Sequence, residues 1–85
     1  DRTHIEPQRT EREIFEQFAA HRDLSPRERE VLRFVLDGHT NAEIAAELFV
    51  SESTVKFHMR NLLRKTDCKK RSELLSLFDS FRSPQ

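Results

Sequence analysis

Glycine, cysteine and long apolar runs are scarce in this sequence of 85 residues, and each shortage excludes a class of protein. The single glycine leaves no material for a glycine-rich phosphate-binding loop or a nucleophile elbow. The single cysteine excludes an internal disulfide and suits a reducing cytoplasm. None of the apolar runs is long enough to span a membrane or to serve as a secretory signal.

The histidines and the acidic residues show no catalytic or metal-binding spacing. The four histidines do not lie at zinc-finger distances from Cys68, and there is no second cysteine to complete such a site. The carboxylates are mostly helix caps or charges interleaved with arginine. We therefore predict a protein that is not an enzyme and that binds neither a metal ion nor another cofactor.

The formal net charge is zero, but positive charge is concentrated in one segment. Residues 51–71 contain seven Lys or Arg against Glu52 and Asp67, a net charge of +5, while every other part of the chain is slightly negative. A local concentration of this kind binds phosphate even where the whole chain is neutral. The alternative is a solvated helix face laced with salt bridges.

Helical periodicity and capping signals predict an all-α protein. Ser or Thr followed three residues later by Glu is the signature of a capping box, and it occurs at Thr10, Ser25 and Thr40. Ser51 is predicted to cap a fourth helix, and Gly38 is predicted to end the second in a left-handed conformation. The five predicted helices span about residues 10–22, 25–37, 41–49, 52–65 and 71–82.

Two of these helices are joined by the short turn 49–51, which indicates a helix-turn-helix. The second of the pair carries apolar residues on one side and long cationic side chains on the other. Lys56 and Arg60 have donors suited to guanine O6 and N7, and Phe57 suits a thymine methyl group. We therefore predict that these three side chains contact bases in the major groove. Solvated surface charges and a stray core phenylalanine are the alternative.

The sequence around this motif resembles the LuxR-type helix-turn-helix domain, the C-terminal output domain of bacterial transcription regulators. The resemblance covers residues 24 to about 77 and rests on residues 24–32, Gly38, residues 41–45, Leu48, Val50, Ser51, Thr54, Val55, Lys56, His58, Asn61 and Lys65. It implies a four-helix bundle whose third helix, residues 52–65, enters the major groove and whose fourth helix, residues 71–82, forms a dimer on DNA. An extra N-terminal amphipathic helix precedes that bundle here. Thr66 departs from the large apolar residue that the family usually has there.

Contacts with DNA phosphates are expected at the edges of the motif. Ser53 and Thr54 lie in the first turn of the recognition helix, where free backbone N–H groups also attract an anion. Local helix capping is the alternative for Thr54 and Asn41, and both roles can coexist. The predicted backbone contacts are Asn41, Ser53, Thr54, Arg64 and Lys65, with Lys69 and Lys70 as additions.

The last helix carries more apolar surface than a small core needs. One interpretation is the homodimer interface that the resemblance implies. The alternative is that the amphipathic segment 10–22 covers this surface, because Phe15 and Phe18 need an apolar neighbour. The predicted interface residues are Leu74, Leu77, Phe78 and Phe81.

We predict from these features that the protein binds double-stranded DNA sequence-specifically, as a homodimer, and regulates transcription. Residues 24–82 are predicted as the DNA-binding domain, residues 1–23 as an N-terminal helix and linker, and residues 83–85 as a tail. Because the chain begins at Asp1 without an initiator methionine, we expect it to be a piece of a longer protein, and the resemblance implies a sensor region upstream of it. We expect the protein to be cytoplasmic or tethered to the membrane through that upstream region. RNA polymerase is a further expected partner. A promoter-reading module of the sigma-factor type and a protein-interaction module that does not bind DNA are the alternatives.

Overall fold

Five α-helices joined by short turns make up residues 9–82, the part of the chain that this computed structural model describes. They are α1 (Glu11–His21), α2 (Pro26–Leu36), α3 (Asn41–Leu48), α4 (Glu52–Lys65) and α5 (Arg71–Arg82). No strand occurs among the described residues, and the all-α prediction is confirmed. Residues 1–8 and the predicted tail at 83–85 lie outside this part of the chain.

Local hydrogen bonds start the first four helices at the residues that the sequence predicts. Three capping boxes are complete, at Thr10 with Glu13, Ser25 with Glu28, and Thr40 with Glu43. α4 begins after Ser51, whose hydroxyl accepts a hydrogen bond from the backbone N–H of Thr54 at 3.1 Å. Each such cap contributes about 1 kcal/mol of helix stability. Because the caps fix where each helix begins, they also fix the short lengths of the turns between the helices.

The turn after α4 accommodates the departure at Thr66. This side chain is only 2% exposed, and its hydroxyl donates to the carbonyl oxygens of Leu62 at 2.9 Å and Leu63 at 3.2 Å. Asp67 adopts the left-handed conformation, with φ of 58°, as its small polar side chain allows. A threonine therefore fits this buried position because its one polar group is satisfied by the preceding helical turn.

The inner face of α4 lies at the centre of the core, between α2 and α3. Val55 and Leu62 have no solvent exposure, and Met59, which lies between them in the sequence, is also buried. On α3, Ile44 and the small side chain of Ala45 are buried against this face. Burying an aliphatic side chain of this size contributes about 1.5–3 kcal/mol. The packing therefore fixes which side of α4 points away from the protein.

α1 packs antiparallel on α5 and shares the same core. Phe18 has no solvent exposure, and its ring meets those of Phe78 and Phe81 edge-on, with ring centres 5.1 and 5.4 Å apart. At the outer end, a guanidinium nitrogen of Arg82 lies 3.2 Å from a carboxylate oxygen of Glu11. The segment 10–22 therefore covers part of the apolar surface of α5, which was the alternative to a dimer interface there.

Two of the four predicted dimer residues lie in the core instead. Leu74 is 0% exposed and Phe78 is 2% exposed, whereas Leu77 and Phe81 are half-buried. A side chain without exposed surface has no contact to offer a second chain. The assignment of Leu74 and Phe78 to an interface is corrected, because both belong to the buried core, where Phe78 packs against Phe18 of α1.

Candidate nucleic-acid interface

The outer face of α4 carries the three predicted base-contact residues. Lys56 and Arg60 are exposed, and Phe57 is 54% exposed although it is apolar. All three lie on the 14-residue helix whose opposite side is buried by α2 and α3. At 1.5 Å per residue this helix is about 21 Å long, and a major groove about 12 Å wide admits an α-helix. The structure thus presents two cationic side chains and one aromatic ring together on a helix of suitable size.

The positive charge on this face is not neutralised by neighbouring carboxylates. Of the ion pairs that residues 9–82 form with one another, none involves Lys56, Arg60 or Arg64. Arg27, Arg29 and Arg82 do form such pairs, all of them away from α4. Within the described residues these three cations have no carboxylate partner and remain available to phosphate and to base edges, so the outer face of α4 is not the salt-bridged face of the alternative interpretation.

The predicted phosphate contacts on α4 occupy both ends of the helix. Ser53 is exposed in the first turn. Thr54 is half-buried, and its hydroxyl oxygen lies 3.0 Å from that of Ser51, so its side chain takes part in the local cap. Arg64 is exposed in the last turn and donates to the side-chain oxygen of Asn61 at 3.1 Å. Ser53 and Arg64 therefore keep the exposure that a phosphate contact needs.

Lys65 is engaged inside the domain, which corrects its assignment as a phosphate contact. Its ammonium donates to Oε1 of Glu28 at 2.8 Å and to the carbonyl oxygen of Asp23 at 3.0 Å. The Glu28 side chain is only 6% exposed and that of Lys65 is 26% exposed. Position at the end of a helix suggested an outward cation, but the start of α2 lies beside it and supplies a buried counter-charge.

The pKa of Glu28 is set by opposing influences. Burial, the largest of them, raises the pKa because it disfavours the charged carboxylate. Hydrogen bonds from Lys65 and from the backbone N–H of Ser25, with the charge of Lys65, more than offset burial and hold the pKa below its ordinary value of 4.5. Glu28 therefore closes a capping box and forms a buried ion pair in the charged state.

Asn41 and Arg71 form a link that the sequence did not reveal. Arg71 donates to the side-chain oxygen of Asn41 and, at 2.7 Å, to the carbonyl oxygen of His39. This ties the start of α5 to the start of α3 and holds Asn41 by its oxygen. A signal was present, because an arginine at the N-terminal end of a helix is unfavourable for the helix dipole unless it has another partner.

Neither a metal site nor a membrane span is found in the described part of the chain. Among residues 9–82, no group of His, Cys, Asp and Glu is arranged to hold a metal ion. No helix in this range is both long and apolar enough to cross a membrane. Cys68 is a free thiol, half-buried in the turn between α4 and α5.

Residues 22–78, about two thirds of the chain, match the family described as bacterial regulatory proteins, luxR family. The chain is also similar to regulators from several bacteria. The chain is 51% identical over 55 residues to the nitrate/nitrite response regulator protein homolog of Haemophilus influenzae. It is 44% identical over 63 residues to the response regulator protein TmoT of Ectopseudomonas mendocina. It is 40% identical over 52 residues to the regulatory protein SdiA of Escherichia coli.

The similarity covers most of this chain but a small part of each relative. The three alignments span 65%, 72% and 61% of the chain, and 26%, 29% and 22% of the respective relatives. The chain thus spans less than a third of the length of these proteins. No solved structure matches the chain.

Proposed function

This chain belongs to the luxR family of bacterial regulatory proteins, whose members are DNA-binding regulators of transcription, and from that premise we propose that it binds a two-fold symmetric DNA site as a homodimer. Each recognition helix α4 enters the major groove of one half-site, and the half-sites are centred about 10 base pairs apart. One observation carries this proposal: the outer face of α4 exposes Lys56, Phe57 and Arg60 while its inner face is buried.

Each of these three side chains has a role in the proposed complex. Lys56 and Arg60 donate hydrogen bonds to base edges, and guanine is the best acceptor because its O6 and N7 lie side by side. Phe57 has no hydrogen-bonding group, so it makes apolar contact with a thymine methyl group. A mixed surface of this kind discriminates between base pairs better than a row of lysines, which would attract any phosphate.

The phosphate contacts frame this surface. Ser53 and the free backbone N–H groups of the first turn of α4 bind a phosphate at one end. Arg64 binds one at the other end. Asn41 is oriented by Arg71 through its oxygen, so its amide N–H groups are the donors left for DNA. The hydroxyl of Thr54 supports the cap, and its backbone N–H is already bonded to Ser51.

For the dimer we propose the outer face of α5. Leu75 is 38% exposed, Ser76 is exposed, and the half-buried Leu77 lies at the margin of this face, in a groove that Ser76 and Ser80 also line. Small serine side chains let a second helix approach closely, and Leu77 supplies apolar contact. The same face appears on both chains in a two-fold dimer.

Selection of the domain against a random DNA library at moderate salt tests the proposal. We expect enrichment of a palindrome whose half-sites lie about one helical turn apart. Binding should also fall steeply as salt rises from about 50 to 200 mM, because phosphate contacts release counterions. A folded domain that enriches no sequence would contradict the proposal and favour a protein-interaction module. Binding seen only in the presence of polymerase would favour the sigma-factor type of module.

Replacement of Leu77 by aspartate tests the dimer face. A charge at this half-buried position can reach solvent in the monomer, but it would be enclosed in the dimer interface. We therefore expect the variant to fold as a monomer. Its affinity for the palindrome should fall by about tenfold, or 1.4 kcal/mol. Affinity for an isolated half-site should not change. Sedimentation with palindromic DNA measures whether the variant dimerises, and circular dichroism measures whether it is folded. A variant that is folded and still dimeric on DNA would place the interface elsewhere.

Because the relatives are more than three times as long as the matched segment, we propose that a regulatory region accompanies this domain in the whole protein. Two of the relatives carry response regulator in their names. That region would receive the signal in the cytoplasm, and the domain would place RNA polymerase at, or block it from, a neighbouring promoter. Activation or repression then depends on where the palindrome lies.

A further inference from the structure

Phe49 is the most exposed large apolar side chain among the described residues. It is 93% exposed, compared with 54% for Phe57 and 38% for Leu75. It lies in the turn between α3 and α4, two residues before the Ser51 cap. Single exposed apolar residues are ordinary on protein surfaces. Phe49 differs because its backbone conformation is also unfavourable.

The backbone of Phe49 is left-handed, with φ of 59° and ψ of 43°. Three residues other than glycine have positive φ in the described chain, and the other two, Asp23 and Asp67, are aspartates, which tolerate this conformation. A bulky side chain there is a true outlier, since glycine or asparagine would fit without the same strain. Strain of this kind concentrates at functional positions.

The surrounding turn holds Phe49 in place. The backbone N–H of Val50 donates to the carbonyl oxygen of Ala45 at 3.0 Å, and Val50 packs against the core. One residue further on, Ser51 caps α4. The backbone that carries Phe49 is therefore held in place, and its ring lies outside the protein. Because the ring is almost fully exposed, packing in the core does not explain why a phenylalanine occupies this position.

We infer that Phe49 is a further DNA contact, in which its ring packs against a deoxyribose of the DNA backbone at the edge of the groove that α4 enters; this rests on the proposed function. Two residues span at most about 7 Å, or about two nucleotides at 3.4 Å of rise per strand. Phe49 therefore reaches the sugars beside a phosphate bound at the start of α4. A phenyl ring cannot bond to phosphate oxygens, so the carbon face of the sugar is the part it fits.

Replacement by asparagine separates this contact from a structural role, because stability and affinity should change in opposite directions. Phe49→Asn removes the strain and should raise Tm by about 4 °C. It should also weaken DNA binding by about tenfold per bound domain, the effect of withdrawing about 60 Å² of apolar contact. Sugars occur at every nucleotide and bear no charge. The loss should therefore be equal on the palindrome and on random DNA, with an unchanged slope of log affinity against log salt.

Phe49→Tyr is the matched control, since it keeps both the ring and the backbone strain. Its affinity and Tm should equal those of the wild type. Wild-type affinity in Phe49→Asn, a loss confined to the palindrome, or an equal loss in Phe49→Tyr would each overturn the inference while leaving the proposed function intact. Failure of the wild-type domain to bind either DNA would instead contradict the proposed function, and the inference would fall with it.

Discussion

Replacing Lys56 and Arg60 together by alanine is expected to lower the affinity for the selected palindrome by about a thousandfold or more. Each well-placed contact with a base edge is worth about 1–3 kcal/mol, and a symmetric dimer contains two copies of each. Four contacts at the low end of that range total about 4 kcal/mol, or three powers of ten in affinity. Fluorescence anisotropy with the palindrome and with random DNA measures both losses.

The loss on random DNA should be much smaller, because side chains that read bases contribute little there beyond their charge. A double replacement of Arg12 and Arg27 by alanine is the matched control, since it removes the same charge from exposed positions on α1 and α2. We expect that control to bind the palindrome nearly as the wild type does. Equal losses on both DNAs in the Lys56 and Arg60 variant would assign these residues to phosphates and remove them from base recognition.

Replacing Lys65 by methionine is expected to lower the free energy of unfolding by about 3 kcal/mol. Methionine keeps most of the apolar stem but leaves the carboxylate of Glu28, only 6% exposed, without its counter-charge. Removing one partner of a buried pair is costly because the other charge stays buried and unpaired. The total free energy of unfolding of one domain is only about 5–15 kcal/mol. The midpoint of urea denaturation should therefore shift to a clearly lower urea concentration.

A second replacement, Glu28→Gln, should recover part of this stability in the Lys65→Met background, because no buried charge then remains. The DNA affinity of the folded Lys65→Met variant should stay near that of the wild type. A stable Lys65→Met protein with weakened DNA binding would instead restore Lys65 as a phosphate contact and contradict the correction made from the structure.

The same pair predicts how the stabilities of the two proteins depend on pH. In the wild type the pKa of Glu28 is held below 4.5, so the stabilisation is present above that pH and is lost as pH falls through the lowered pKa. Without Lys65, only the hydrogen bonds with Ser25 still oppose burial, so the pKa of Glu28 rises above its wild-type value. The carboxylate of the variant is then neutralised at a higher pH. The difference in stability between the two proteins should therefore narrow on acidification.

Most of the fold follows from interactions within one or two helical turns. The capping boxes at Thr10, Ser25 and Thr40 join residues three apart, and so the starts of α1 to α3 are readable from the sequence. The two faces of α4 are readable for the same reason. Val55 and Leu62 alternate with Lys56 and Arg60 at helical spacing, and the structure buries the first pair and exposes the second.

The two corrected assignments involve partners far away in the sequence. Lys65 was predicted to face DNA, but its counter-charge is Glu28, 37 residues earlier. Phe78 was predicted to face a second chain, but it packs against Phe18 of α1. Helical period shows that a residue is apolar or charged on a given face. It does not show which neighbouring element covers that face.

The sequence by itself determined an all-α protein with a helix-turn-helix and the side of α4 that carries its exposed cations, because periodicity and capping are local properties of the chain. Only the tertiary structure decided that α1 is packed against α5, that Lys65 is used within the domain, and that Phe49 is displayed with a left-handed backbone. These depend on how the helices cross and on the hydrogen bonds that close each turn. Such contacts are set by the packing of the whole core rather than by any one segment.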